Sequence, residues 1–452
     1  MREARCILDK DYVIGEPNHG LASSFVEHLG RVTYGGIYEP NHPTADEYGF
    51  RRDVIEALKE LGISMVRYPG GNFVSGYKWT DGIGQKDKRP KKLDLAWKNI
   101  EPNEVGIDEF VEWKNKVGTE TMIVVNLGTG TPQEAADLVE YCNYPSGTYW
   151  SDLRRQYGHE QPYNIKLWGL GNEMDGPWQI CALSAEDYGK KARETAKMMR
   201  WVDSSIELVV CGSSAPEVPT YPDWDRIVLE YTYEYIDYIS IHRYYSYNPQ
   251  HHLFYPSFDE PSDVPFFPID LQNYIRTVSS TIDFAKAKRR SGKNVYISFD
   301  EWGVVSENPG SSDVGDISNL LDALIYGGIL CVFLKHCNKI KIACQSLLVN
   351  AGGMIYTIKG GPLVKNTTFY PFRDVAYECQ TQGSVILDQT TSPTLKTKHY
   401  GEIPAIQSAS IYNKEEKKIT TFLVNFDPKE DIKFIIDLRS FGKVTPIEHF
   451  VL

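Results

Sequence analysis

Short apolar segments alternate with amphipathic helical segments along residues 20–344, and this alternation restricts the possible folds more than any other feature. The segments that predict strands are residues 32–38, 64–68, 121–126, 165–170, 206–211, 238–242, 295–299 and 339–344. Helical periodicity is clearest at residues 50–61, 107–116, 185–201 and 319–336. Eight successive β-then-α units are typical of a (β/α)8 TIM barrel, so we predict an α/β protein of that fold.

The pattern changes near residue 382, where helical segments stop and short alternating strands begin. We predict a C-terminal β-sandwich over residues 382–452 and a (β/α)8 catalytic barrel over residues 18–381. Residues 1–17 are predicted to join the β-sandwich as an additional strand. The predicted strands are few for a closed sandwich and the last one lies close to residue 452, so we expect either that residues 1–17 complete the sheet or that the sandwich is truncated.

Composition excludes several classes of function. The chain of 452 residues has a net charge of −12, which argues against nucleic acid and anionic membranes as partners. Residues 1–10 lack the apolar core of a signal peptide, and residues 323–334 are too short to span a bilayer. The eight cysteines show no disulfide or metal spacing. We expect a reduced, cytoplasmic protein that needs no metal and no cofactor.

Two glutamates follow apolar strands and are the strongest candidates for catalysis. Glu173 comes after strand 165–170 and Glu301 after strand 295–299, at the edge where parallel barrels place their active sites. Hydrolysis of a glycosidic bond uses one protonated and one ionised carboxyl group. Each glutamate taken singly is more often a surface carboxylate, but the pair favours a glycosidase. Glu173, which lies between Asn172 and apolar Met174, is expected to be the acid/base, and Glu301, which follows Asp300, is expected to be the ionised nucleophile.

Further polar residues lie within or at the ends of predicted strands: Arg67, Asn72, Asn126, His242 and Tyr244. Glu27 precedes the first predicted strand and is either a sugar-hydroxyl acceptor or a surface charge. An arginine inside a barrel needs a partner, which is either a structural carboxylate or a catalytic one. The asparagines fit turn positions or sugar-hydroxyl binding. The histidine and tyrosine either adjust the catalytic carboxyl groups or form a satisfied polar pair in the core.

Several longer segments carry a family resemblance, namely residues 27–31, 34–40, 67–76, 93–97, 169–178 and 298–302. In these segments and over nearly its whole length, the chain resembles the α-L-arabinofuranosidases of glycoside hydrolase family 51. The resemblance implies a barrel with a C-terminal jelly-roll-like sandwich, and a retaining mechanism without a metal. It further implies a homo-oligomer, commonly a hexamer, and an intracellular location.

The resemblance also assigns roles to individual residues. Glu173 matches the acid/base and Glu301 the nucleophile of the family. Glu27, Arg67, Asn72, Asn172, His242 and Tyr244 match positions around the bound furanose, and Trp97 and Trp178 match aromatic residues at the rim. The leading hypothesis is therefore a retaining exo-α-L-arabinofuranosidase whose substrate is an arabinofuranosyl oligosaccharide derived from arabinoxylan or arabinan.

The sequence departs from the family pattern at the end of the eighth strand. The family usually has Ala-Gln-Leu-Val-Asn there, with its glutamine facing the sugar, and Leu347 occupies that place. Gln345 would share its face in an extended segment, so we expect it to bind substrate. Residues 303–310 are also shorter and less aromatic than is usual. These departures leave two alternatives open: an endo-glucanase, xylosidase or galactofuranosidase with the same mechanism, or a sugar-binding barrel without catalysis.

Overall fold

The computed structural model describes residues 2–246, 267–305 and 317–452. The helices are α1 Arg52–Leu61, α2 Ile107–Val117, α3 Pro132–Asn143, α4 Tyr149–Gln156, α5 Ala185–Val202, α6 Asp223–Thr232, α7 Phe267–Arg289, α8 Leu320–Lys335 and α9 Phe369–Cys379. The strands are β1 Arg2–Gly15, β2 Ser23–Phe25, β3 Met65–Tyr68, β4 Lys92–Leu93, β5 Ile100–Glu101, β6 Glu120–Val125, β7 Leu167–Leu170, β8 Glu207–Cys211, β9 Tyr238–Ser246, β10 Tyr296–Val305, β11 Ile340–Gln345, β12 Ile355–Thr357, β13 Leu363–Lys365, β14 Ser384–Thr391, β15 Thr394–Lys396, β16 Glu402–Pro404, β17 Ile406–Asn413, β18 Lys418–Asn425 and β19 Ile432–Asp437.

Eight of these strands form a closed parallel barrel in the order β2-β3-β6-β7-β8-β9-β10-β11, with β11 pairing back onto β2. This arrangement confirms the predicted (β/α)8 barrel. Seven of the strands coincide with predicted ones to within a few residues at each end. The polar groups at the carboxyl ends of the eight strands therefore converge on one rim, which is where a site is expected.

The first barrel strand differs from the prediction. It is the short segment Ser23–Phe25, whereas residues 32–38 form turns joined by isolated bridges. Gly35 has φ +88°, and a Cβ on Gly36 would lie 2.1 Å from the Val32 carbonyl oxygen. These glycines bend the backbone, which prevents residues 32–38 from running as a strand. One consequence is that Glu27 follows the first strand, at the carboxyl rim, instead of preceding it.

The C-terminal region consists mostly of strands, as predicted. Its described part contains a five-stranded sheet in the order β18-β17-β14-β1-β19 and a separate β15–β16 pair. The N-terminal strand β1 lies between β14, to which it is antiparallel, and β19, to which it is parallel. The predicted domain limits at residues 17 and 381 agree with this pairing and stay a prediction.

Helix α8 packs between the barrel and the C-terminal sheet. Its residues Ile329 and Leu330 share one buried core with Val385, Ala409 and Ile411 of the sheet. A helix covered on several sides needs apolar residues all around, which explains the apolar run that the sequence shows there. Within the described ranges, no helix combines the length and apolarity required to cross a membrane.

Two long segments, residues 73–104 and 245–268, follow predicted strands, and the sequence predicts that each lies at the barrel rim and either contacts a ligand or packs against the barrel. Residues 73–104 contain the β4–β5 hairpin, which carries Trp97 in its connection. The hairpin is fixed to the barrel by a buried contact of 2.7 Å between His28 Nδ1 and Glu101 Oε2. The predicted loop at 245–268 and the segment 303–310 lie largely outside the described residues.

Candidate active site

Glu173 lies just beyond the end of β7. The chain turns sharply at Gly171, whose φ of +88° favours glycine, and Glu173 itself has φ +45°. Two groups hold its carboxylate. Trp178 Nε1 donates to Oε2 at 2.6 Å, and His242 Nδ1 lies 3.0 Å from Oε1. The turn and these contacts place the carboxyl group over the barrel mouth.

Glu301 reaches the same place because of an irregularity in β10. Ser298 pairs with Ser240 and Glu301 with His242, so β10 has one more residue than β9 in this interval. Such a bulge redirects side chains, and bulges are common beside active sites. Arg67 Nη1 donates to Glu301 Oε1 at 2.7 Å, and Tyr244 Oη donates to Oε2 at 2.7 Å.

The two candidate catalytic carboxyl groups face each other. An oxygen of Glu173, an oxygen of Glu301 and a nitrogen of His242 all lie within 4.8 Å of one another. Retaining glycosidases have carboxyl separations of about 5–5.5 Å, whereas inverting ones need about 6.5–9.5 Å to admit a water molecule. The spacing therefore matches the retaining arrangement.

The charges around Glu301 favour its ionised form. Burial by itself would raise the pKa of Glu301, but the charges of His242 and Arg67 and the Tyr244 hydrogen bond outweigh burial and lower it. For His242 the direction is opposite, because burial by itself would lower its pKa. The Glu301 charge and the Glu173 hydrogen bond outweigh burial and raise the pKa of His242 to about 9. An ionised Glu301 carboxylate thus lies beside an imidazolium that also contacts Glu173.

Arg67 connects Glu301 to the rest of the rim. Its guanidinium is buried, with Nη2 donating to Asn172 Oδ1 at 2.6 Å and Nε lying 3.5 Å from Asp300 Oδ2. The Asn172 amide nitrogen lies 3.4 Å from Asn72 Oδ1. Arg67 is therefore both a structural ion pair and an orienting group for Glu301, which were the two readings of its sequence position.

Glu27 forms the opposite wall of the site. Its Oε1 accepts hydrogen bonds from the Phe73 backbone N–H and from Trp97 Nε1, both at 2.9 Å. Burial, followed by the negative charge of Glu301, raises the pKa of Glu27 to about 8. At neutral pH its carboxyl group is consequently protonated and able to donate a hydrogen bond to a ligand.

Replacing Glu27 with Gln is expected to stabilise the fold more at pH 8.5 than at pH 5.5. The folded protein keeps a proton on Glu27 up to pH about 8, whereas the unfolded chain releases it near 4.5, so wild-type stability falls as pH rises through this window. Gln has no proton to lose and keeps the acceptor oxygen. The advantage of the variant should grow by several kcal/mol, on the order of 1.4 kcal/mol per pH unit crossed.

The measurement is the shift in thermal unfolding midpoint between Glu27→Gln and wild type at both pH values. Glu234→Gln, at an exposed position, is the matched control and should show a shift that does not depend on pH. A pH-independent shift for Glu27→Gln would contradict the assigned protonation state.

The cavity over the barrel mouth has a volume of about 280 Å³. Predicted site residues that line it are Glu27, Asn72, Trp97, Glu173, Trp178, Tyr244 and Glu301. Arg67, Asn172 and His242 contact these residues from beneath. Small-molecule sites usually span roughly 300–1,000 Å³, so this cavity is slightly smaller than the lower limit of that range.

Gln345 is not among the described residues that line the cavity, so its role in substrate binding stays a prediction. Its side chain is fully buried, with Nε2 donating to Tyr326 Oη and to the Gly352 carbonyl oxygen, both at 2.9 Å. Strand β11 ends at Gln345, so the alternation of faces does not continue to Leu347. Leu347 itself lines the cavity.

Three further residues at the site, Asp175, Ser214 and Ser346, were not predicted from the sequence. Ser214 follows β8 and Ser346 follows β11, and both line the cavity. Asp175 accepts hydrogen bonds from the Ser214 backbone N–H at 3.0 Å and hydroxyl at 2.7 Å, which anchors the turn that carries Glu173. The position of each serine just after a strand is the signal that could have identified them.

The Glu173–His242–Glu301 group offers the ligand types of a metal site, but its charges fit a cation poorly. His242 has a pKa of about 9 and would first have to release its proton. Arg67 also presents a positive charge 2.7 Å from Glu301. We derive no step through a metal.

Fold and site together define a class of protein, the β/α-barrel glycoside hydrolases that use two glutamates. Comparison with known proteins gives the family. Residues 57–261 match the model of the α-L-arabinofuranosidase 1 domain, and residues 300–452 match that of the α-L-arabinofuranosidase C-terminal domain. The chain belongs to the α-L-arabinofuranosidases of glycoside hydrolase family 51.

Individual relatives are similar over most of their length. The intracellular exo-α-(1→5)-L-arabinofuranosidase 1 of Bacillus subtilis is 46% identical, with 100% of this chain and 90% of that protein covered. The corresponding enzyme of Halalkalibacterium halodurans is 45% identical over 99% of this chain and 90% of its own. A family 51 α-L-arabinofuranosidase structure from Bifidobacterium longum has a TM-score of 0.90 at 39% identity, covering 97% of this chain and 88% of that one.

Proposed function

We propose that this protein is a retaining exo-α-L-arabinofuranosidase that releases terminal arabinofuranosyl residues from arabinan- or arabinoxylan-derived oligosaccharides. The observation that carries the proposal is the pair of glutamates facing each other within 4.8 Å across one small cavity. Family membership and the names of the relatives support the choice of sugar.

In the first step, Glu301 attacks the anomeric carbon while Glu173 protonates the departing glycosidic oxygen. Arg67 and Tyr244 each hold one oxygen of Glu301, which fixes the direction of its attack. Nδ1 of protonated His242 lies 3.0 Å from Glu173 Oε1, so the imidazolium holds a proton next to the carboxyl group that acts as the acid. The bond from sugar to aglycone breaks as the bond from sugar to Glu301 forms.

In the second step, Glu173 removes a proton from a water molecule, and that water displaces Glu301 from the sugar. Two inversions at the anomeric carbon leave the product with the configuration of the substrate. Trp178, which donates to Glu173 Oε2, keeps the carboxylate directed at the reaction centre in both steps.

The dimensions of the cavity support exo action. A volume of about 280 Å³ suits one sugar residue better than a continuous polysaccharide chain. Trp97 and Trp178 line the cavity, and their indole rings are flat apolar groups of the kind that stack on sugar rings. The proposed substrate therefore inserts its terminal residue and leaves the remaining sugars at the rim.

The presence of Leu347 in the cavity wall favours a second candidate substrate. Part of the cavity wall is apolar, formed by Leu29, Val304, Leu347 and Ala351. An apolar wall offers no hydrogen bond to a sugar hydroxyl, a contact that is typically worth about 1 kcal/mol or somewhat more. A related activity on a xyloside or galactofuranoside is the alternative that this observation favours.

The proposal is tested with a panel of nitrophenyl glycosides and with arabino-oligosaccharides. We expect the highest kcat/KM on the α-L-arabinofuranoside, with arabinose of retained configuration as the first product seen by NMR. The same panel on Leu347→Gln should show about a tenfold gain on the arabinofuranoside if the wall limits binding. A higher value on another glycoside would replace arabinofuranose as the substrate, and binding without hydrolysis would indicate a non-catalytic sugar-binding barrel.

We also propose a cellular location and an oligomeric state for the protein. We infer a cytoplasmic enzyme because several relatives are named intracellular. A homo-oligomer, commonly a hexamer, rests on the family resemblance and can be measured by sedimentation velocity.

A further inference from the structure

Ser346 contacts the nucleophile indirectly through Tyr244. Its Oγ lies 2.5 Å from Tyr244 Oη, which in turn lies 2.7 Å from Glu301 Oε2. Ser346 is 6% exposed and its backbone N–H donates to the Trp302 carbonyl oxygen at 2.9 Å, one residue after the nucleophile. The serine hydroxyl is therefore held in a fixed position relative to β10.

Counting protons gives this chain of hydroxyl groups a direction. The Tyr244 hydroxyl has one proton, and an ionised carboxylate can only accept, so that proton lies on the bond to Glu301. Tyr244 Oη is then an acceptor toward Ser346, whose hydroxyl donates. Hydrogen bonds in such a series polarise one another, so a donor behind Tyr244 strengthens the bond from Tyr244 to Glu301.

We propose that Ser346 is a positioning residue for the nucleophile, acting through Tyr244. This role rests on the proposed function of Glu301. Ser346 directs the single tyrosine proton at Glu301 Oε2, which holds that oxygen while Arg67 holds the other. Without the serine hydroxyl, Tyr244 loses the donor that polarises it, its bond to Glu301 Oε2 weakens, and the carboxylate is held less firmly at the moment of attack.

A double-mutant cycle tests this role. We expect Ser346→Ala to lower kcat/KM by about fivefold, the loss typical of one hydrogen bond. In the Tyr244→Phe background the same change should cost less than about twofold, because the intermediate hydroxyl is already absent. Ser346→Thr, which keeps the hydroxyl, should stay close to wild type. Ser279→Ala, at a buried serine of α7, is the control for loss of a buried hydroxyl.

The pH dependence of kcat/KM separates this role from a merely structural one, because a structural role of Ser346 would leave the acidic limb of the profile unchanged. Loss of the Ser346 donor weakens the bond that favours ionised Glu301, so the acidic limb of kcat/KM should shift to higher pH in Ser346→Ala. Equal losses in the Tyr and Phe backgrounds would overturn the proposal and indicate direct contact of Ser346 with substrate. An unchanged Ser346→Ala enzyme would overturn it as well. A wild-type protein inactive on every arabinofuranoside would instead refute the proposed function.

Discussion

Replacing Glu301 with Ala is expected to reduce kcat/KM on nitrophenyl α-L-arabinofuranoside by at least about 10⁴-fold, because no other described group can form the covalent intermediate. The carboxylate is buried between Arg67 and Tyr244, and its pKa is held below the usual value, so it is ionised and directed at the cavity. Initial rates on wild type and variant, at equal protein concentration, give the ratio directly.

Azide makes this experiment specific for a nucleophile. Removing the side chain leaves space on the Glu301 side of the cavity, where azide can attack a substrate with a good leaving group. The sugar azide formed by Glu301→Ala should have inverted configuration, which NMR detects. Glu234→Ala, at an exposed position, is the control and should keep full activity. Substantial residual hydrolysis by a folded Glu301→Ala protein would contradict the assignment.

The sequence was sufficient to predict the barrel and the position of Glu173 and Glu301 at its rim, for a physical reason. A buried parallel strand shows as a short apolar run, and a carboxylate directly after it must lie at the barrel rim. Glu173 and Glu301 both follow such runs. The first strand was not predicted because Ser23–Phe25 is only three residues long and begins with two serines, so the sequence shows no apolar run there.

Contacts that depend on loop geometry could not be predicted. The bond from Trp178 to Glu173 requires the turn at Gly171, and the bond from Trp97 to Glu27 requires the β4–β5 hairpin. The same limit applies to Gln345, because strand alternation places it on the face of Leu347 whereas β11 already ends at Gln345. Sequence periodicity describes regular elements, whereas these contacts form where the elements stop.

Replacing Glu173 with Ala is expected to affect substrates according to their leaving group. For an oligosaccharide, whose departing alcohol needs a proton, kcat/KM should fall by about 10²–10⁴-fold, the usual contribution of general acid catalysis. For a dinitrophenyl arabinofuranoside, whose leaving group needs no proton, the first step should be little changed. Rates measured on both substrates separate loss of the acid from loss of the fold.

The second step of the reaction gives the sharper test of Glu173. Without the base, the glycosyl-enzyme formed from the dinitrophenyl substrate should accumulate, giving a burst of dinitrophenol followed by a slow steady rate. Azide needs no base and should restore turnover, yielding a sugar azide of retained configuration, opposite to that from Glu301→Ala. Trp178→Phe is the matched control because it removes the donor to Glu173 and keeps the carboxylate, so it should show neither the burst nor azide rescue. If azide gave the inverted product with Glu173→Ala, the roles of the two glutamates would have to be exchanged.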